Sequence, residues 1–438
     1  MNWISPILFF LFFGTGVFLF VRHIGMIRRS IALGRPDLST DQPGKRWGQV
    51  LRLALGQQKM FRNIPVAILH LIIYLGFIII NIEVLEIVLD GLTGSHRLFL
   101  EPLGPLYPVL INAFEWLALG VLVTCIVFLT RRTLIQVPRL RSTDLTGWPR
   151  KDANLILITE ILLMTLFLFM NATDTLLQQR NVGHYAESLT GTFSISVYLH
   201  PMLQGLSDHS LVWIERCCWW LHILGILAFL NYLPYSKHLH ILLAFPNAYY
   251  ASLENKGKMT NMPAIQQEVL LAIDPGATIA NSDQPPGRFG AKDVQDLGQK
   301  NLLDAFSCTE CGRCSAACPA QQTGKLLSPR RIMMRTRDRM EDLQKRPAEQ
   351  QEDDNRSLLH DYITVEELRA CTTCQACVEV CPVSINPLDI ILQLRRYLVM
   401  EESNAPGEWT GMFSNVENNF APWKFSPDDR DNWSRSDN

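Results

Sequence analysis

Residues 308–319 read CTECGRCSAACP and residues 371–382 read CTTCQACVEVCP. Both stretches follow C-x2-C-x2-C-x3-C-P, the spacing that holds a pair of 4Fe–4S cubanes. Three close thiolates grip one cube, and the fourth cysteine, followed by proline, turns away to ligate the other. The spacing therefore predicts one cluster on Cys308, Cys311, Cys314 and Cys381, and a second on Cys371, Cys374, Cys377 and Cys318. Structural zinc pairs shorter hooks and does not use this pattern. Disulfides need an oxidising compartment, which the topology below does not give these residues. Cys125, Cys217 and Cys218 lie in apolar stretches, where a buried cysteine is usually a small hydrophobe.

Outward from these blocks the chain changes character. Residues 251–438 are charged and polar, whereas residues 1–250 are dominated by apolar runs. A helix needs about 20 apolar residues to cross a bilayer core. Five runs qualify: Ile4–Val21, Ile64–Leu89, Tyr107–Leu129, Ala153–Met170 with its continuation, and Leu211–Tyr232. The first has no basic residue before it and no small-residue cleavage site after it, so it reads as a membrane helix and not a signal peptide. The 438-residue chain carries a net charge of −2, which gives no reason to expect nucleic acid as a partner. The expected fold is mainly α, a five-helix transmembrane bundle followed by an all-helical dicluster ferredoxin domain. Its divisions are 1–250 for the bundle, 251–292 for a linker, 293–400 for the ferredoxin domain and 401–438 for an irregular tail.

Basic residues stay in the cytoplasm. Segment 22–62 carries nine Lys/Arg and 131–151 carries six, while 90–106 has only Arg97 and 172–216 only Arg180 and Arg216. This puts the amino terminus outside and the cysteine blocks in the cytoplasm. Trp213, Trp219 and Trp220 then fit an outer interfacial belt. Segment 22–62, with Trp47, Leu51 and Leu55 among its charges, reads as a surface amphipathic helix or a docking face.

Five helices exceed what an anchor needs, and ionisable residues inside a membrane mark function. His70 lies roughly 9 Å from one end of the second helix. His222 and His240 stand 18 residues apart, five turns if the fifth helix continues to Phe245, and would share a face. His70 and His240 then match in depth as the axial pair of one haem b. His222 lies about 27 Å further out, and only the loop residues His184, His200 and His209 remain as partners for it. His238 and His23 read as interfacial, and Pro234 threatens the phase of the fifth helix.

In the polar half, DPGATIANSDQPPGRFG (274–290) reads as linker, and VQDLGQKNLLDAF leads as a helix into the first block. SPRRIMMRTRDRMEDLQKR (328–346) reads as a charged helix whose Arg330–Arg339 run faces solvent, followed by the acidic turn EQQEDDN. The tail after Met400 reads as loop, with Phe413, Phe420, Trp423 and Phe425 spaced to wrap a surface or dock a subunit. No constellation for acid–base or nucleophilic chemistry stands out in this half.

Residues 293–433, with both cysteine blocks and the tail NVENNFAPWKF, resemble the helical ferredoxin subunits of heterodisulfide reductases and related glycolate and glycerol-3-phosphate oxidoreductases. The bundle, by its amino-terminus-out topology, His70 and the His222/His240 pair, resembles the cytochrome b subunits of the nitrate reductase gamma and heterodisulfide reductase type. The chain thus looks like a fusion of the two. That resemblance implies a membrane-bound electron-transfer subunit of a respiratory-chain oxidoreductase, in a bacterial or archaeal cytoplasmic membrane. It would pass electrons between a cytoplasmic partner, two 4Fe–4S clusters, haem b and the quinone pool. The nitrate reductase type has two histidines on helix two; here the second position falls at Ile80 and Asn81, leaving a second haem without that ligand. Relatives continue into paired CCG motifs, so a separate CCG-motif iron–sulfur subunit is expected on residues 300–438. Two rival readings are a haem-free membrane anchor for an iron–sulfur module and a membrane redox sensor.

Overall fold

The computed structural model describes residues 4–434 except 256, 275, 277–287, 347–353 and 430. The proline-rich centre of the linker and most of the acidic turn EQQEDDN lie outside the described residues. Every regular element among those described is helical.

Five long helices come first: α1 (Ile4–Ile31), α2 (Ile64–Thr93), α3 (Leu106–Thr133), α4 (Trp148–Gln179) and α5 (Asp208–Tyr232). All five are long and apolar enough to cross a membrane. They begin where the chain supplies capping chemistry. Asn63 accepts from the Val66 amide at 3.4 Å, and Pro65 and Pro149 occupy first turns where no amide partner is lost. Each helix packs on its sequence neighbour and α5 returns to α1, which closes a ring of five. Bare backbone permits the tightest contact. A Cβ on Gly76 of α2 would meet Val121 at 2.5 Å, and one on Gly120 of α3 would meet Ile72 at 2.9 Å. Phe9, Tyr107, Ile111, Phe114 and Phe167 fill the ring's interior, while Phe10, Phe18, Val109 and Ile158 face outward.

The fifth helix does not run through to Phe245. Pro234 cannot join the amide ladder and Ser236 is extended (φ −117°, ψ 148°), so α5 stops and a new helix, α6 (His240–Tyr249), starts in another direction. Asp152, buried near the start of α4, closes the break. It accepts from Ser236 Oγ at 2.6 Å, from the Lys237 amide at 3.1 Å and from the Tyr232 hydroxyl. The expected shared face of His222 and His240 is lost with the straight helix.

Beyond α6 come α7 (Pro263–Ile273), α8 (Gln299–Ser307), α9 (Pro329–Gln344), α10 (Pro387–Met400) and α11 (Gly407–Asn419). Their core joins Leu302, Phe306, Ile332, Met340, Ile390 and Leu394 to Ile27, Leu233 and Leu239 of the bundle. The two halves therefore share one apolar core.

Five expectations change here. Segment 22–62 is no single helix: α1 runs to Ile31, an α-helical stretch over Pro43–Gln49 continues as a π-helix over Val50–Leu55, and a 3-10 turn covers Gln58–Arg62; Trp47, Leu51 and Leu55 of that stretch are exposed, as an amphipathic surface segment would leave them. The linker contains α7, whose Ala, Gln, Glu and Leu favour helix, and the tail contains α11 in spite of its glycines and asparagines. The Arg330–Arg339 run is no solvated face, since both terminal arginines are 1% exposed. Arg330 pairs with Asp144 (3.1 Å) and donates to the Arg139 carbonyl (3.0 Å) in the loop between α3 and α4. Arg339 joins Asp293 and Asp354. Trp219, expected in a belt, is buried, whereas Trp213 is exposed.

Candidate iron–sulfur and histidine centre

The two cysteine blocks fold alike. In each, the residues two and four after the first cysteine have left-handed backbones: Glu310 (φ 52°) and Gly312 (72°), then Thr373 (56°) and Gln375 (60°). That double reversal turns the first three cysteines of a block to one side. A short helix then carries the third, Cys314 on Arg313–Ala317 and Cys377 on Ala376–Glu379, and these two helices pack together. Cys318 and Cys381 follow, each before the proline that starts the exit.

Packing the blocks face to face exchanges their fourth cysteines. The thiols nearest in electrostatic influence to Cys314 are Cys308, Cys311 and Cys381, with Cys377 beyond them. Those around Cys377 are Cys371, Cys318 and Cys374. Cys308, Cys318, Cys377 and Cys381 are buried, while Cys374 is exposed. Burial pushes the thiols of Cys308 and Cys377 up to about 12 and that of Cys381 up to about 11. Such groups become thiolates only against a positive partner, which cluster iron supplies. The protein adds cations and amides: Arg313 stands near Cys311 and Cys381, Arg395 bonds the Cys371 carbonyl, and the Ile385 amide donates to Cys381 Sγ at 3.3 Å. Among the described residues no three His, Cys, Asp or Glu side chains converge closely enough for a single metal ion. A cubane spreads its four thiolates over four irons, so its ligands stand further apart. The residues fit two such clusters.

His70 and His240, remote in sequence, come together with His238. The rings of His238 and His240 are 5.6 Å apart, and His238 feels both His240 and His70. Burial drives His238 down to about 3, so it is a neutral imidazole. Each of the three histidines singled out in the sequence has Nδ1 engaged. His70 meets Gln57 Oε1, His240 the Lys237 carbonyl and His222 the Leu163 carbonyl, all at 3.0 Å. That arrangement leaves Nε2 available, as in metal-ligating histidines oriented by an acceptor. His222 lies apart, packed on Phe167. His184 instead packs its ring, tilted, against Tyr185, His200 bonds Thr175, and His209 bonds Trp213.

The histidine group adjoins the first cysteine set. Lys59 donates to the Cys381 carbonyl (3.1 Å), Arg313 to the Lys59 carbonyl (3.4 Å), and Asn247 of α6 to the Val383 carbonyl (2.8 Å). Lys237 pairs with Glu310, inside the Cys308–Cys311 loop. The sequence did not single out Lys59, Lys237 or Glu310, and it placed His238 only as interfacial. Only the density of charge beside the histidines and cysteines hinted at them.

Residues 304–385 match the family described as the 4Fe–4S dicluster domain. The chain is 27% identical over 460 aligned residues to the probable iron–sulfur-binding oxidoreductase FadF of Bacillus subtilis, covering 98% of this chain and 60% of that one. It is 30% identical over 237 residues to an EtfAB:quinone oxidoreductase of Syntrophomonas wolfei, 49% of this chain and 30% of the other. Over 173 residues it is 29% identical to a probable membrane-anchored ferredoxin of Chromohalobacter salexigens, 36% of this chain and 26% of that protein. The chain thus spans 60% or less of the length of each of these relatives. No solved structure matches it. The polar half therefore carries a dicluster 4Fe–4S domain on a helical chain with five helices of membrane-spanning length.

Proposed function

We propose that this chain carries electrons between a cytoplasmic partner and the membrane quinone pool. The route runs through two 4Fe–4S clusters and a haem b held by His70 and His240. The single observation that carries the reading is the meeting of His70, His240 and the Cys308/Cys311/Cys314/Cys381 group at one end of the five-helix ring. The cysteines would hold the clusters, and a haem would give the electrons a stop within the bilayer. Likeness to an EtfAB:quinone oxidoreductase supports a quinone as the membrane end. The charge bias of the loops supports a cytoplasmic cluster domain. A separate iron–sulfur subunit docks on α11, where Trp409, Met412, Phe413 and Val416 are all exposed.

The test is a reduced-minus-oxidised optical spectrum of the purified chain with iron and haem counted. About eight irons, as two cubanes require, and one b-type haem lost in His70→Ala and His240→Ala support the reading. Iron without haem leaves a membrane-anchored ferredoxin.

A further inference from the structure

A cleft of about 570 Å3 opens where α9 crosses the ends of α4 and α5. Its volume falls in the range of small-molecule sites, roughly 300–1,000 Å3. The walls come from three places distant in sequence: loop 143–149, the break at 234–239 and α9. Trp148 and Tyr235 stand at the helix ends and are 54% and 56% exposed, as amphipathic rings at a membrane boundary are. Phe306 and Met334 make its buried apolar floor. Arg331 and Arg335 offer donors on one wall, and Asp338 and Glu341 offer carboxylates that remain 45% and 42% exposed. By contrast, the charged void between α2, α4 and α5 that Glu83 and Asp174 line holds about 20 Å3, room for one water.

The cleft also touches the electron route. Phe306 lies two residues before Cys308, Leu239 lies beside His240, and Arg337 pairs with Glu310 in the first cysteine loop. An apolar ring with two carbonyl oxygens suits a floor of Phe306 and Met334 with guanidinium donors at its edge. An isoprenoid chain suits an exit past aromatic rings into lipid.

We propose that this cleft binds the head of a membrane quinone, with its chain leaving between Trp148 and Tyr235; the inference rests on the quinone-linked reading above. Clusters held by the two cysteine blocks would supply the quinone's two electrons, one at a time. The quinone takes two protons from water by way of Asp338 and Glu341, and its two C=O groups become the two O–H groups of the quinol. Oxidation of quinol reverses each transfer.

The test uses the full chain in lipid nanodiscs, its clusters reduced with stoichiometric dithionite and mixed rapidly with menadione. Return of the cluster absorbance gives the rate at each quinone concentration. The wild-type rate should saturate. Thr146→Trp, on the exposed loop, and Met334→Trp, on the floor, should each raise the half-saturating concentration about tenfold or more, the scale of steric mismatch in a fitted pocket. Iron content and the reduced spectrum should stay unchanged. A saturable rate identical in wild type and both variants overturns the cleft and leaves the quinone reading standing. A rate that stays linear in menadione and is unmoved by either variant also overturns it, by showing collision at an exposed cluster. Failure of menadione to reoxidise wild type at all overturns the quinone reading itself.

Discussion

Replacing Cys381 by alanine tests whether the two cysteine blocks trade their fourth ligand. In the fold, Cys381 lies with Cys308, Cys311 and Cys314, although 63 residues of sequence separate it from Cys318, the fourth cysteine of that block. The variant should lose the cluster of the first block and keep that of the second. Iron should fall from about eight to about four per chain, one cubane's worth. The count alone cannot say which cluster went, so the liberated thiols must be identified. Alkylation under native, anaerobic conditions followed by peptide mass spectrometry should find Cys308, Cys311 and Cys314 modified in Cys381→Ala. The reciprocal variant Cys318→Ala should expose Cys371, Cys374 and Cys377. Iron loss without exchange would reverse the two lists, and that result would refute the interleaved assignment. Retention of eight irons in either variant would remove the fourth cysteine from the ligand set altogether.

Arg339→Met should destabilise the polar half by about 3–5 kcal/mol, because it strands carboxylates that Arg339 satisfies, and loss of cluster absorbance in denaturant would measure it. The bond from Arg339 holds the Asp354 carboxyl below its usual range. The stability so gained is complete above about pH 4 and is lost as pH falls through the lowered value, so the variant should show a flatter acid limb. Gly312→Ala should cost about 1–2 kcal/mol of backbone strain at φ 72°. It also places a Cβ 2.5 Å from Arg330 Nη1, so iron occupancy of the first cluster should fall. Gln375→Gly, at the matching position, should leave iron unchanged. Asp152→Ala should lower occupancy of the proposed haem with iron intact, because the α5–α6 break that places His240 loses its acceptor; equal loss of both would point to general unfolding.

The cysteine repeat and the five apolar runs were legible because each is local. Spacing within twelve residues specifies a cluster loop, and about 20 apolar residues specify a spanning helix. Residues whose role depends on distant partners were misread. Arg330 and Arg339 look like surface charge until Asp144, Asp293 and Asp354 arrive from elsewhere in the chain. His238 looked interfacial because a straight helix turns it away from His240, and only the break at Pro234 and Ser236 brings both toward His70. The same break removed the shared face of His222 and His240, while His240 still lies close enough to His70 to act on it electrostatically.

Nothing in the composition shows how firmly the two halves are joined, yet the proposed function depends on it. Electron transfer weakens steeply with distance, so a cluster domain swinging on a linker would meet its membrane partner only intermittently. Here the linker is not what joins them. Arg35 bonds the Leu297 carbonyl at 2.8 Å, the Gln299 amide returns to the Arg35 carbonyl at 2.9 Å, and Gln344 reaches the Met26 carbonyl at 2.6 Å. Lys300 meets Asn247 at 3.0 Å, and Lys59 and Lys237 reach into the two cysteine blocks. Part-buried polar contacts of this kind fix orientation more than they add stability. Together with the apolar core that runs from Ile27 and Leu239 into Phe306 and Ile332, they hold the first cysteine set against the histidines in one arrangement. That fixed placement is what the proposed passage of electrons into the membrane requires, and a cluster domain left free on its linker in solution would count against the proposal.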